Sequence, residues 1–132
     1  MTPAAARCLA AAQQSLADAE VILGVRIARV AAREAYMAAF HAAEAFVVEK
    51  TGKVVKTHAG LRTEFSRLAQ GPDDIGRWMT TFLANAFRFK SLSDYDVTQE
   101  TPITLANAEA LIVDARSFVE LIAKLLRQNA EI

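Results

Sequence analysis

The stretch Arg88-Phe89-Lys90-Ser91-Leu92-Ser93-Asp94-Tyr95 gathers two cations, a phenol and a carboxylate, and a second carboxylate, Asp96, follows directly. It falls where a long helical pattern gives way to a polar loop. Helix ends leave backbone groups unpaired and are open to ligands. Arg88 has the planar fork that grips a phosphate through two hydrogen bonds, Lys90 adds a point charge, and the Tyr95 phenol donates to the same oxyanion. Asp94 is the nearest acid. The same residues also fit a purely structural arrangement, with Arg88 paired to Asp94 or Asp96 and Tyr95 packed over the end of a bundle.

A second basic group lies upstream. Arg26, Arg29 and Arg33 are spaced three and four apart and so share one face of a helix, which continues to Met37 and then to His41 or Glu44. Such a stripe suits the phosphates of RNA or of a nucleotide. It equally suits a solvated face pairing with Glu34 or Asp18, at about 0–1 kcal/mol per pair. An imidazole suits proton transfer near neutral pH, so His41 is a candidate acid-base group. His58, next to the capping Thr57, is a candidate phosphate ligand. Each histidine also reads as a half-buried structural residue. No metal site is expected, because there are only 2 His and 1 Cys. His41-x-x-Glu44 reverses the Glu-x-x-His order of di-iron bundles and occurs once. No cofactor is expected either: a Gly-rich phosphate loop, a nucleophile elbow and HExxH are all missing.

Helices must position these groups. Thr2-Pro3 opens the first, whose Leu9, Ala12, Leu16, Ala19 and Leu23 recur at helical spacing and which Gly24 ends or kinks. The second pattern runs from about Val25 to Thr51 with the stripe Tyr36, Phe40, Ala43, Val47, closed by Gly52 in the left-handed conformation. Its many alanines let a neighbouring helix come close. Thr57 caps a short third helix with Leu61, Phe65 and Leu68. Gly71-Pro72-Asp73-Asp74 is a break. A fourth helix carries Ile75, Trp78, Met79, Phe82, Ala86 and Phe89 and is expected to end near Ser91 to Ser93. Asp94 to Thr104 reads as a loop, and Thr104 caps a last helix with Leu105, Ala108, Leu111, Ile112, Ala115, Val119, Ile122 and Leu126. The pattern predicts an all-α fold: an antiparallel up-and-down four-helix bundle with one short extra helix, in a single domain over residues 1–132.

The chain has 132 residues, enough for one compact core, and only 5 Gly and 3 Pro to interrupt helices. Charges balance at 15 against 15, which argues against a strong sequence-blind grip on nucleic acid while leaving local basic patches open. A single cysteine, Cys8, fits a cytoplasmic location. No apolar run reaches the roughly 20 residues of a membrane span, and no basic-then-apolar leader opens the chain. Leftover apolar area on alanine-rich and aromatic helices points to a homodimer.

Together, Arg33 with Ala35-Tyr36 through Phe40-His41-Ala42-Ala43-Glu44, Gly52, Lys56-Thr57-His58, Arg88 with Ser93-Asp94-Tyr95-Asp96, and the Ile103-Thr104 helix with Ala115 and Phe118 resemble the HEPN domain family, most closely its small single-domain prokaryotic branch. The resemblance spans about Ala28 to Val119. It implies a four-helix bundle, commonly dimeric, often encoded beside a minimal nucleotidyltransferase in a toxin–antitoxin module. Many members are metal-independent ribonucleases with the signature Arg-x4–6-His-x-Tyr, and in some pairs the tyrosine receives AMP. In this chain Arg88 and Tyr95 match the arginine and the tyrosine, and the histidine slot holds Ser93, which cannot shuttle a proton near pH 7. The resemblance therefore implies a nucleotide- or RNA-binding partner of a nucleotidyltransferase, using Arg88, Tyr95 and the basic helix face. The alternatives are an active ribonuclease recruiting His41 or His58, or Arg88 with Asp94, and a helical dimerisation unit without a ligand.

Overall fold

The computed structural model describes residues 1–70, 74–95 and 103–130, with side chains at 1–70, 75–91 and 103–128. All regular structure among the described residues is helical: α1 (Pro3–Gly24), α2 (Ala28–Thr51), α3 (His58–Ala69), α4 (Asp74–Tyr95) and α5 (Leu105–Ala130). None of these helices is long and apolar enough to cross a membrane.

The threonines start the helices as their sequence positions suggest. Thr2 Oγ1 accepts the Ala5 N–H at 3.2 Å, and Pro3 occupies the first turn, where no N–H is needed. Thr57 Oγ1 accepts the Gly60 N–H at 3.0 Å. Thr104 Oγ1 accepts the Asn107 N–H at 3.0 Å, and Asn107 Oδ1 accepts the Thr104 N–H at 3.1 Å, a reciprocal cap. Gly52 ends α2 at φ 73°, its N–H reaching the Val48 carbonyl at 2.8 Å.

The α1–α2 corner departs from expectation. α1 does stop at Gly24, yet the left-handed residue is Arg26, with φ 67°. The Arg26 N–H donates to Leu23 O at 2.9 Å and the Ile27 N–H to Ile22 O at 3.3 Å. This is the paired bonding of a Schellman turn, with arginine where glycine usually stands. Helix α2 consequently begins at Ala28, not near Val25, and Arg26 leaves the helical face assigned to it. A side chain in this conformation costs roughly 1 kcal/mol or more relative to glycine. Arg26→Gly is therefore expected to stabilise the fold by about 1 kcal/mol, seen as a higher urea midpoint with an unchanged slope. An unchanged or lower midpoint would mean that contacts of the arginine side chain offset the strain.

The far end of α4 also departs from expectation. No Gly or Pro interrupts residues 77–95, and the serines there disfavour helix only weakly. The helix runs through Tyr95, so Asp94 and Tyr95 belong to its last turn, while residues 96–102, Asp96 among them, lie outside the described residues. The break at 71–73 lies outside them too.

Helix α2 is central. Its buried residues, from Ala31 to Val48, point to every side, and most are alanines that let α1, α3, α4 and α5 pack against it. The N–H of Thr2 donates to Glu49 Oε1 at 2.7 Å, so α1 runs antiparallel to α2. Gly24 and Arg26 share a cleft with Leu105 and Glu109, and Arg116 pairs with Glu20, which sets the start of α5 at the α1–α2 corner. Phe46 shares a cleft with Gly76 and Met79, whereas Tyr36 meets Phe87; α4 thus runs antiparallel to α2. A Cβ on Gly76 would sit 2.2 Å from the Ala69 carbonyl oxygen, so only glycine lets the start of α4 come this close to the end of α3. A chain of rings ties the core together: Phe46 to Phe65 at 5.4 Å, Phe65 to Phe118 at 5.6 Å, Phe118 to Phe82 at 5.5 Å.

Candidate functional site

Spacing on three helices builds one polar-aromatic cluster. Tyr36 and Phe40 lie one turn apart on α2, His58 and Arg62 one turn apart on α3, and Phe87 arrives from α4. Tyr36 Oη lies 2.7 Å from His58 Nδ1. The imidazole is 4.6 Å from the Phe40 ring and 5.7 Å from the Phe87 ring, centroid to centroid. The Arg62 guanidinium rests 4.2 Å from the centroid of Phe87. This stack fixes the plane of the fork. The Arg62 Nε is buried and has no hydrogen-bond partner.

Tyr36 is fully buried, and burial pushes its phenol well above the ordinary value; Arg62 opposes this and Glu44 reinforces it. The phenol therefore stays protonated and shares one hydrogen bond with Nδ1, whose direction is set by the imidazole tautomer. A folded-state pKa raised above the unfolded value of about 10 means a stabilising contribution complete below pH ~10 and lost as pH rises further. We expect the fall in unfolding free energy from this group alone to begin near pH ~10 and to approach about 1.4 kcal/mol per pH unit from about pH 11. Tyr36→Phe should lose about 0.5–1.5 kcal/mol at pH 7 and show a shallower alkaline decline in urea denaturation. Parallel alkaline declines in the two proteins would contradict this role for the phenol.

Beside the cluster, His41 Nδ1 lies 2.6 Å from Glu44 Oε1, both part-buried on α2. The motif His41-x-x-Glu44 closes on itself here. Cys8 is half-buried on α1, and burial, followed by the charge of Glu44, pushes its thiol up, away from thiolate chemistry. No three His, Cys, Asp or Glu side chains converge among the described residues.

The arginines lie at one end of this arrangement. Arg88 directly follows Phe87 and is exposed. Arg33 and Arg29 are exposed on α2, roughly 4.5 and 10.5 Å along the axis before Tyr36, and within roughly 60° and 20° of it around the helix. Because α4 climbs antiparallel to α2 with Phe87 against Tyr36, the three exposed guanidinium-bearing residues share the end where α2 begins and α4 finishes. Arg26 stands in the neighbouring corner rather than on the stripe. His41 and His58 lie on the other side of Tyr36 along α2 or against it, and do not continue the stripe. Lys90 is buried, 8 % exposed, because it falls in register with Met79, Leu83 and Ala86 on the core face of α4. The side chains of Ser93, Asp94 and Tyr95 lie outside the described residues. Two members of the cluster, Arg62 and Phe87, carried no signal in the sequence beyond the i,i+4 offset of Arg62 from His58.

With this geometry in place, similarity to known proteins is informative. The HEPN domain family matches residues 5–126, nearly the whole chain. The chain belongs to the HEPN family. No curated protein sequence matches it.

Proposed function

We propose that this HEPN protein binds nucleotide or RNA phosphate at the end of α2 and α4, as the partner of a minimal nucleotidyltransferase in a toxin–antitoxin-type module of the cytoplasm. The observation that carries the reading is that exposed Arg29, Arg33 and Arg88 all lie toward the end where α2 begins and α4 finishes. The first turns of α2 and α5 carry no acid, so the positive ends of their dipoles are not countered there. In this reading Arg88 forks a phosphate, Asp94 and Tyr95 follow it about two turns on at the end of α4, and Arg29 and Arg33 supply further charge. Arg26, His41, His58 and Lys90, also candidate ligands in the sequence, take positions in the adjoining corner, the cluster and the core.

The whole chain is read as one unit, an up-and-down four-helix bundle of α1, α2, α4 and α5 with α3 as the extra helix; the antiparallel contacts of α1 and α4 with α2 support it. A homodimer is supported by the groove between α4 and α5, where Trp78 stacks on Phe82 and remains 38 % exposed, next to Ile75 on the same helix. The direct experiment is titration of the purified protein with ATP and with short single-stranded RNA at low salt. Saturable binding that weakens in Arg88→Ala supports the reading. Failure of both ligands to bind removes it and leaves a dimerisation unit.

A second reading, a metal-independent ribonuclease, draws on one observation: the Glu44 carboxylate buttresses His41, the way a general base is oriented. RNA cleavage in chelator that disappears in His41→Ala would favour it.

A further inference from the structure

Two clefts along α3 share a wall. The first, about 650 Å³, is lined by Arg62, Ser66 and Arg67; the second, about 430 Å³, lies between α3 and α4 and adds Arg77 and Thr80. Ser66 and Gln70 belong to both, so the clefts form one continuous groove. At one end stands Arg62, stacked on Phe87 and hence one residue from Arg88; at the other, the close α3–α4 approach at Gly76. We propose that this groove is a track for a single strand of RNA, gripped by its phosphates and leading to the Arg88 end. The proposal rests on the reading that the protein binds RNA phosphate and adds where the rest of the strand lies.

The chemistry favours phosphate. Three arginines line the groove, and Glu64, on the same helix as two of them, engages Arg67 in an exposed pair that a phosphate can displace at little cost. Ser66 and Thr80 offer hydroxyls, the usual companions of arginine on phosphate oxygens. Arg62 is the anchor. Its guanidinium plane is set by the Phe87 ring, and its buried Nε lacks an acceptor, an unmet donor of the sort that ligand sites retain. Helix α3 has 12 residues and spans about 18 Å, longer than one nucleotide. A lone nucleotide would fill only part of it. The track is lined from α3 and α4 and does not include the α2 arginines.

The test compares AMP, a four-nucleotide and a twelve-nucleotide single-stranded RNA by fluorescence anisotropy, in wild type, Arg62→Gln and Thr81→Glu, with circular dichroism to confirm folding. Thr81 is exposed on the groove wall, so its glutamate adds repulsion without disturbing the core. We expect the twelve-nucleotide RNA to bind at least tenfold more tightly than AMP. Each variant should lose about tenfold on the longer RNA, Arg62→Gln should also lower the salt slope by about 0.7, and AMP binding should stay unchanged in Thr81→Glu. Length-independent binding untouched by either variant would overturn the track while leaving the phosphate end intact. Binding of polyglutamate as tight as that of the RNA would overturn the choice of ligand, and no binding by any of them would overturn both readings.

Discussion

Exchanging Arg29, Arg33 and Arg88 together for alanine is expected to reduce affinity for ATP or short RNA by more than a hundredfold. A hydrogen bond to a charged group contributes about 1.5–3 kcal/mol, so Arg88→Ala alone should lower affinity by roughly ten- to a hundredfold. Arg29 and Arg33 act more as exposed charge than as a fork, and each should contribute less, with an effect that fades as salt rises. All three are exposed, so the folded state should keep its helical circular dichroism and its thermal midpoint within a few degrees. A lysine at position 88 retains the charge and loses the paired geometry. Arg88→Lys should therefore recover only part of the affinity, and full recovery would show that the phosphate is held by field rather than by a fork.

The largest loss of stability is expected from Phe118→Ala. Phe118 is fully buried and touches the rings of Phe65 on α3 and Phe82 on α4. The Phe118 side chain thus ties α5 to both α3 and α4 within the core. Removing a buried phenyl group costs about 3–5 kcal/mol when the surroundings cannot collapse, and three helices converge here. That is a large part of the stability of an ordinary domain, about 5–15 kcal/mol. Urea denaturation should show the midpoint falling sharply, with α3 and α4 losing hydrogen-exchange protection first. Phe118→Leu should keep most of the volume and lose far less. Equal losses in the two variants would mean that the ring contacts contribute little beyond filling space.

Much of this architecture was legible because local rules and packing agree. Thr2, Thr57 and Thr104 stand before apolar runs of helical period, and each caps a helix; Gly52 ends one. The boundaries that shifted did so for identifiable reasons. Gly24 was expected to end or kink α1, and the helix does stop there, but the turn closed two positions later and put Arg26 in the left-handed conformation. The polar residues Ser91, Ser93 and Asp94 suggested a stop that no glycine or proline enforced, and α4 continued.

The candidate site was legible only in part. An offset of three or four residues shows which side chains share a face, and it placed Arg29 and Arg33 together. It does not show which face the core takes, and so Lys90, which follows Ala86 by four residues, went inside while Arg88 stayed out. Nor does it reveal contacts between helices. The Tyr36–His58 bond and the Arg62–Phe87 stack each join residues more than twenty positions apart and follow from the antiparallel registers of α2, α3 and α4.

The most direct measurement is an amide chemical-shift map of the isotopically labelled protein titrated with a short single-stranded RNA at low salt. The phosphate-end account predicts shifts concentrated at residues 28–36 and 84–91, saturating with added RNA and suppressed by Arg88→Ala. Shifts confined to α1 or to the outer face of α5, or no shifts at saturating RNA, would contradict it.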